Sequence, residues 1–124
     1  MRKVIIYVAG PYRNKSNWKI AQNIRKAEAL CLEVWRAGMI ALSPHLNTEH
    51  FQYELPDDVW LSGDLEMLRR CDAVLLVEGW ESSNGTKAEV NFANDLGIPV
   101  FMRLDTLINA REKLEENLLW REVR

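Results

Sequence analysis

The run from Val4 to Ala9, VIIYVA, is apolar without a break and is closed by Gly10-Pro11. Its length and β-branched content predict a buried strand. Having no polar face, it suits a central parallel strand covered by helices on both sides. The period then lengthens. From Asn17 to Ala37, the residues Ile20, Ile24, Ala27, Leu30, Cys31, Val34 and Trp35 recur at helical spacing, and Gly38 supplies a C-terminal stop. Met39 to Leu42 predicts a short second strand ended by Ser43-Pro44. His45 to Pro56 has no clear period, mixes polar and aromatic residues, and predicts a long loop, a kind of segment that is often functional. Asp57 to Cys71 predicts a helix with Val59, Trp60, Leu61, Leu65 and Leu68 on its apolar face. Ala73 to Val77 is a third strand, Glu78 to Thr86 a turn-rich connection, and Lys87 to Leu96 a helix stopped by Gly97. Ile98 to Met102 is a fourth strand. Asp105 to about Trp120 predicts a final helix carrying Leu107, Ile108, Leu114 and Leu118 at helical spacing.

Strands that alternate with helices across short links imply a parallel sheet with right-handed crossovers. The expected fold is therefore α/β, a flavodoxin- or Rossmann-like three-layer sandwich with a small parallel sheet flanked by helices. At 124 residues, with no repeat or linker, the chain reads as one domain. Apolar residues at 48% and charged residues at 27% are ordinary globular values. A net charge of −2 argues against nucleic acid as a bulk partner, though not against a small phosphate held by local groups. Cys31 and Cys71 form no CxxC and join no histidine cluster, so they read as buried reduced thiols rather than metal ligands. There is no signal-peptide pattern and no run near the roughly 20 apolar residues that span a bilayer. A cytoplasmic protein is expected.

Open parallel sheets bind ligands beyond the carboxyl ends of their strands. That rule selects three places. After the first strand, Gly10-Pro11-Tyr12-Arg13 offers a close backbone approach and a fixed charge that clamps phosphate or carboxylate; the alternative is a tight turn and a solvated arginine. With one glycine and no GK[ST] it is neither a dinucleotide fingerprint nor a P-loop. After the second strand, His45 is either a substrate contact or a structural loop residue. After the third comes Ser83-Asn84-Gly85-Thr86-Lys87-Ala88-Glu89. Ser83 and Gly85 would present donors at a helix N-terminus. Glu89 in the first turn would be held ionised by the helix dipole, as suits a nucleophile beside a sugar. Against that, Thr86-x-x-Glu89 is also a capping box, with Glu89 bonding back to the Thr86 backbone. Asp64, in the middle of the Asp57 to Cys71 helix, is a second carboxylate; two in one pocket would suit general acid work.

Taken in order, Tyr7-x-x-Gly10-x-x-Arg13, Asp64-Leu65-Glu66-x-Leu68-x-x-x-Asp72 and Ser83-x-Gly85-x-x-x-Glu89 resemble the nucleoside 2-deoxyribosyltransferase-like superfamily. The resemblance runs from Tyr7 to about Val100. The small size and the Ser-x-Gly-x-x-x-Glu pattern look like the 2′-deoxynucleoside 5′-monophosphate N-glycosidases. The Gly-Trp preceding Ser-x-Gly also looks like a group of uncharacterised bacterial and phage domains. The resemblance implies Glu89 as the nucleophile on C1′, Asp64 holding or protonating the reacting groups, and Tyr7 supporting the nucleophile and sugar. It implies Arg13 and Ser83 on the 5′-phosphate or the sugar hydroxyls, and His45 near the base or phosphate. Gly10 and Gly85 complete the implied substrate-binding set. Departures are Pro11 and Tyr12, which crowd the arginine turn, and Lys87 two residues before Glu89. The expected partners are a small-molecule nucleoside or nucleotide and further copies of the chain, as a homodimer or higher homo-oligomer. No nucleic acid, membrane, cofactor or metal is expected. Two other readings use the same residues: a non-catalytic nucleotide-binding sensor on this fold, with Glu89 as a cap, and an assembly protein using the last helix and the five tryptophans.

Overall fold

The computed structural model describes residues 2–51 and 53–123. Four parallel strands, β1 (Ile5–Ala9), β2 (Ile40–Leu42), β3 (Ala73–Leu76) and β4 (Val100–Phe101), pair in the order β2-β1-β3-β4. Six helices flank them: α1 (Asn17–Arg36), α2 (Pro44–Thr48), α3 (Asp57–Arg69), α4 (Asn84–Asp95), α5 (Leu104–Asn109) and α6 (Arg111–Val123). This is the expected three-layer α/β sandwich. Strand order reverses between β1 and β3, the switch point where a crevice forms.

The period-2 alternation of a strand divides the core. Ile6 and Val8 of β1, with Ala73 and Leu75 of β3, pack under α1, α5 and α6 through Ala27, Cys31, Val34, Leu107, Leu114 and Leu118. Tyr7 and Ala9, with Val74 and Leu76, face the opposite layer, where Leu68 of α3 and Ala93 of α4 cover them. Tyr7 is thus buried on the side of the sheet that carries α3 and α4. Asp72 ties the lower edge together: its carboxylate accepts from the Ile5 backbone N–H at 2.8 Å and its own N–H donates to the Ile5 carbonyl at 2.8 Å. At the upper edge, a Cβ on Gly10 would lie 2.5 Å from Val77 Cβ. The glycine that the sequence suggested for ligand approach is required first by the packing of β1 against the end of β3.

Gly38 and Gly97 adopt φ of +84° and +73° and stop α1 and α4 as anticipated. Four expectations are corrected. The segment from His45 to Pro56 is not all loop, because Ser43-Pro44 opens α2 with proline in the first turn. The last helix is two, with Ala110 closing α5 before α6 begins; Arg111 donates to the Ala37 carbonyl at 2.6 Å, and this tie to the end of α1 fixes the break. Helix α4 starts at Asn84, three residues earlier than the pattern suggested, because Ser83 caps it. Finally, Trp35, Val59, Leu61 and Ile108 are exposed rather than facing the core. Successive helix positions are about 100° apart, so Val34 and Leu107, which are buried, turn Trp35 and Ile108 outward.

Candidate active site

The carboxyl ends of β1, β2 and β3 open into one cleft of about 650 Å³. Each of the three places selected by the ligand-edge rule lines it: Gly10 and Arg13, then His45, then Ser83, Gly85 and Glu89. Helix α3 adds Asp57, Trp60, Leu61 and Asp64, the i, i+3, i+4, i+7 spacing of one helical face. Trp60 and Leu61 therefore line the cleft instead of filling the core. Tyr7 lies beneath, wholly buried, and its hydroxyl donates to Glu89 Oε2. All eight residues singled out in the sequence meet at this one edge.

The helix start decides the fate of the proposed capping box. A 3₁₀ turn over Trp80–Ser82 delivers Ser83 in extended backbone, φ −105° and ψ 113°, as the N-cap of α4. Ser83 Oγ accepts from the Thr86 N–H at 3.2 Å and from Thr86 Oγ1 at 2.9 Å. Thr86 is consequently inside the first turn, and Glu89 sits in the second. Two expectations are corrected together: Glu89 is not the reciprocal cap of Thr86, and it lies beyond the first turn where the helix dipole acts most strongly. Accepting twice, Ser83 still has its own hydroxyl hydrogen to give to a ligand.

Burial is the leading cause of the site's protonation behaviour. Out of water, Glu89 is pushed up to about 7; the Tyr7 hydroxyl opposes this and the Asp64 charge adds to it. Asp64 is pushed up to about 6 by burial alone. Tyr7 is driven far above its ordinary range by burial, then by the Glu89 charge and their hydrogen bond, so it stays a donor. His45 is 5% exposed, and burial lowers its pKa to about 4 against the pull of the Gly10 backbone. Its ring stacks on Tyr12 with centroids 5.1 Å apart and planes 3° from parallel. At neutral pH it is uncharged and therefore unsuited to neutralising a phosphate.

Arg13 is ion-paired with Asp57 across the mouth of the cleft. Both side chains are more than half exposed, at 59% and 58%. Such pairs are worth roughly 0–1 kcal/mol, so an anion at Arg13 displaces Asp57 at small cost. Asp57→Asn is expected to tighten binding of a phosphorylated ligand by about two- to fivefold, with an uncharged analogue unaffected; isothermal titration of the two ligands checks it.

Several cleft residues were not legible as functional in the sequence. Trp60 read as core, and nothing in the pattern singled out Lys19, Asn23 and Lys26 of α1. Asn23 donates to the Tyr12 carbonyl at 3.2 Å and so fastens the arginine turn to α1. Among the described residues, no three or more His, Cys, Asp or Glu side chains are grouped so as to hold a metal ion, and no helix is long and apolar enough to cross a membrane.

A family profile described as a domain of unknown function, DUF4406, matches residues 4–102, from the first strand through the last. The chain belongs to DUF4406. The resemblance drawn from the three motif segments is met at the level of the fold, as a solved structure shows. No curated protein matches the chain. Among solved structures, this DUF4406 chain is similar to a 2-deoxyribosyltransferase from Bacillus psychrosaccharolyticus. They share 24% identity over 78% of this chain and 69% of that one, with a TM-score of 0.57. At that identity the likeness establishes a common fold.

Proposed function

We propose that this protein cleaves or exchanges the N-glycosidic bond of a (deoxy)nucleoside or its 5′-monophosphate, with Glu89 as nucleophile. One observation carries the reading: a buried carboxylate held by the Tyr7 hydroxyl, beside a second carboxylate, at the switch point of the sheet. The solved relative, named a 2-deoxyribosyltransferase, supports the same chemistry.

In the first step a Glu89 oxygen bonds to C1′ while the C1′–N bond breaks and its electron pair leaves with the base. Asp64 supplies the proton that the leaving base takes up. In the second step water, or the nitrogen of a second base, attacks C1′ and returns Glu89 as carboxylate, its proton passing back to Asp64. Charge develops on the sugar in both steps, and an ionised Glu89 offsets it. Tyr7 holds Glu89 on one oxygen and leaves the other for C1′. Ser83 and Arg13 take the sugar hydroxyls or 5′-phosphate, Gly85 leaves room beside them, and neutral His45 faces the base. We also place the working form as a homodimer or larger symmetric assembly in the cytoplasm. Phe51, Leu55, Val59 and Leu61, exposed on α3 and the segment before it, support the assembly. Light scattering after size exclusion is expected to give at least twice the chain mass; a strict monomer contradicts it.

Chromatography of deoxynucleosides and their monophosphates after incubation, with and without a second base, is the direct test. Free base is expected from at least one; none at high enzyme concentration contradicts the reading. The pH profile follows from the site. The nucleophile must be ionised while Asp64 holds a proton, so kcat/KM is expected to be bell-shaped in pH, highest between about 6 and about 7. Tyr7→Phe removes a group that lowers the Glu89 pKa, so the alkaline limb should move to higher pH and the maximum should fall. An unmoved limb would mean that the hydrogen bond does not act on the reacting carboxylate.

A further inference from the structure

The cleft has lips of opposite charge. Asp57, Asp64 and Glu89 come from α3 and α4, on one face of the sheet. Lys19 and Lys26 come from α1, on the other. Residues 17–27 of α1 contain no acidic side chain, and neither lysine makes an ion pair among the described residues. Glu78, which also lines the cleft, follows β3 and does not belong to α1. Lys19 and Lys26 flank Asn23 at i−4 and i+3, so all three share one helical face, and the lysines stand about 10 Å apart along the axis. Asn23 is occupied with the Tyr12 carbonyl, which fixes the arginine turn to this same face. Beside the lysines the same stretch of α1 carries Arg25 and Trp18, the latter 72% exposed.

We infer that the α1 lip is a subsite for a chain of phosphates, and that the ligand is a nucleotide carrying two or more of them. This rests on the reading of the cleft as a nucleoside site and deepens it. The carboxylates of α3 and α4 repel an anion and suit the sugar carbon that becomes positive. The phosphate side of the ligand must therefore point toward α1. Arg13 and Ser83 serve the first phosphate, and Lys19 and Lys26 take those that follow. Two flexible ammonium groups that bracket a short span match a linear polyanion better than one compact phosphate. His45, being neutral, contributes nothing to the binding of that charge.

The test is calorimetric binding of the four common 2′-deoxynucleosides and their 5′-mono-, di- and triphosphates to the Glu89→Gln protein, in which turnover is silenced. The diphosphate is expected to bind about tenfold more tightly than the monophosphate, as fits one charge-assisted contact, with the gain shrinking at high salt. In Lys19→Ala/Lys26→Ala the gain should vanish, so that di- and monophosphate bind alike; Lys19→Arg/Lys26→Arg should retain it. A diphosphate that binds no better than the monophosphate, or a gain that survives the alanine pair, overturns the inference and leaves the nucleoside reading standing. No binding by any of the series overturns both.

Discussion

Replacing Glu89 with Gln is expected to abolish base release, with a loss on the order of 10⁴-fold or more, while the protein folds and becomes more stable at alkaline pH. The two effects have one origin. Glu89 holds its proton up to about 7 in the folded protein against an ordinary 4.5, because burial disfavours its charge. A raised folded-state pKa gives stability that is fully present below about 4.5 and is lost as pH rises through about 7. At pH 8 the native protein therefore carries an unfavourable buried charge, on the order of 2–4 kcal/mol at ~1.4 kcal/mol per pKa unit. Gln cannot ionise and escapes it, and its amide oxygen still accepts from Tyr7. Thermal melts of both proteins are expected to agree near pH 4 and to diverge by pH 8, the Gln variant melting higher. A residue kept for capping would give the opposite pattern: no effect on activity and no gain in stability.

Gly10→Ala is the second large effect, and it is one of packing. The added methyl would lie 2.5 Å from Val77 Cβ and 2.8 Å from its Cγ2, closer than carbon atoms approach. Relief requires β1 and the end of β3 to part, although the Val77 N–H is bonded to the Ala9 carbonyl at 2.8 Å. A loss of about 1–3 kcal/mol follows, several degrees in Tm. Val77→Ala does not rescue it, because the clash is with Cβ itself. A Gly10→Ala protein of native stability would mean that the glycine serves the ligand alone. Gly85 is the contrast: its nearest neighbour would be Ser83 Oγ at 3.9 Å, so Gly85→Ala is accommodated by the fold.

What was legible follows from range. The unbroken apolar run VIIYVA and the 3.6 period of α1 are local signals, and they located the central strand and its covering helix. The three ligand-edge segments were found because topology dictates where such sheets bind. The link between Tyr7 and Glu89 spans 82 positions, and no local pattern can announce it. The start of α4 was misplaced because Ser83 and Thr86 are both good caps. The 3₁₀ turn that brings Ser83 into extended backbone chose between them. Ser43-Pro44 is a strand stop and a helix start at once, which hid α2. Lys19, Asn23 and Lys26 drew no notice because a polar helix face looks the same whether it borders water or a cleft.

The most direct measurement of the central claim is mass spectrometry of the protein after reaction with a 2′-fluorinated nucleoside, whose fluorine slows loss of the sugar from the enzyme. One sugar is expected on the peptide that contains Glu89, and none in the Glu89→Gln protein. A sugar on another residue, or base release with no adduct at any time, would contradict the assignment of Glu89 as nucleophile.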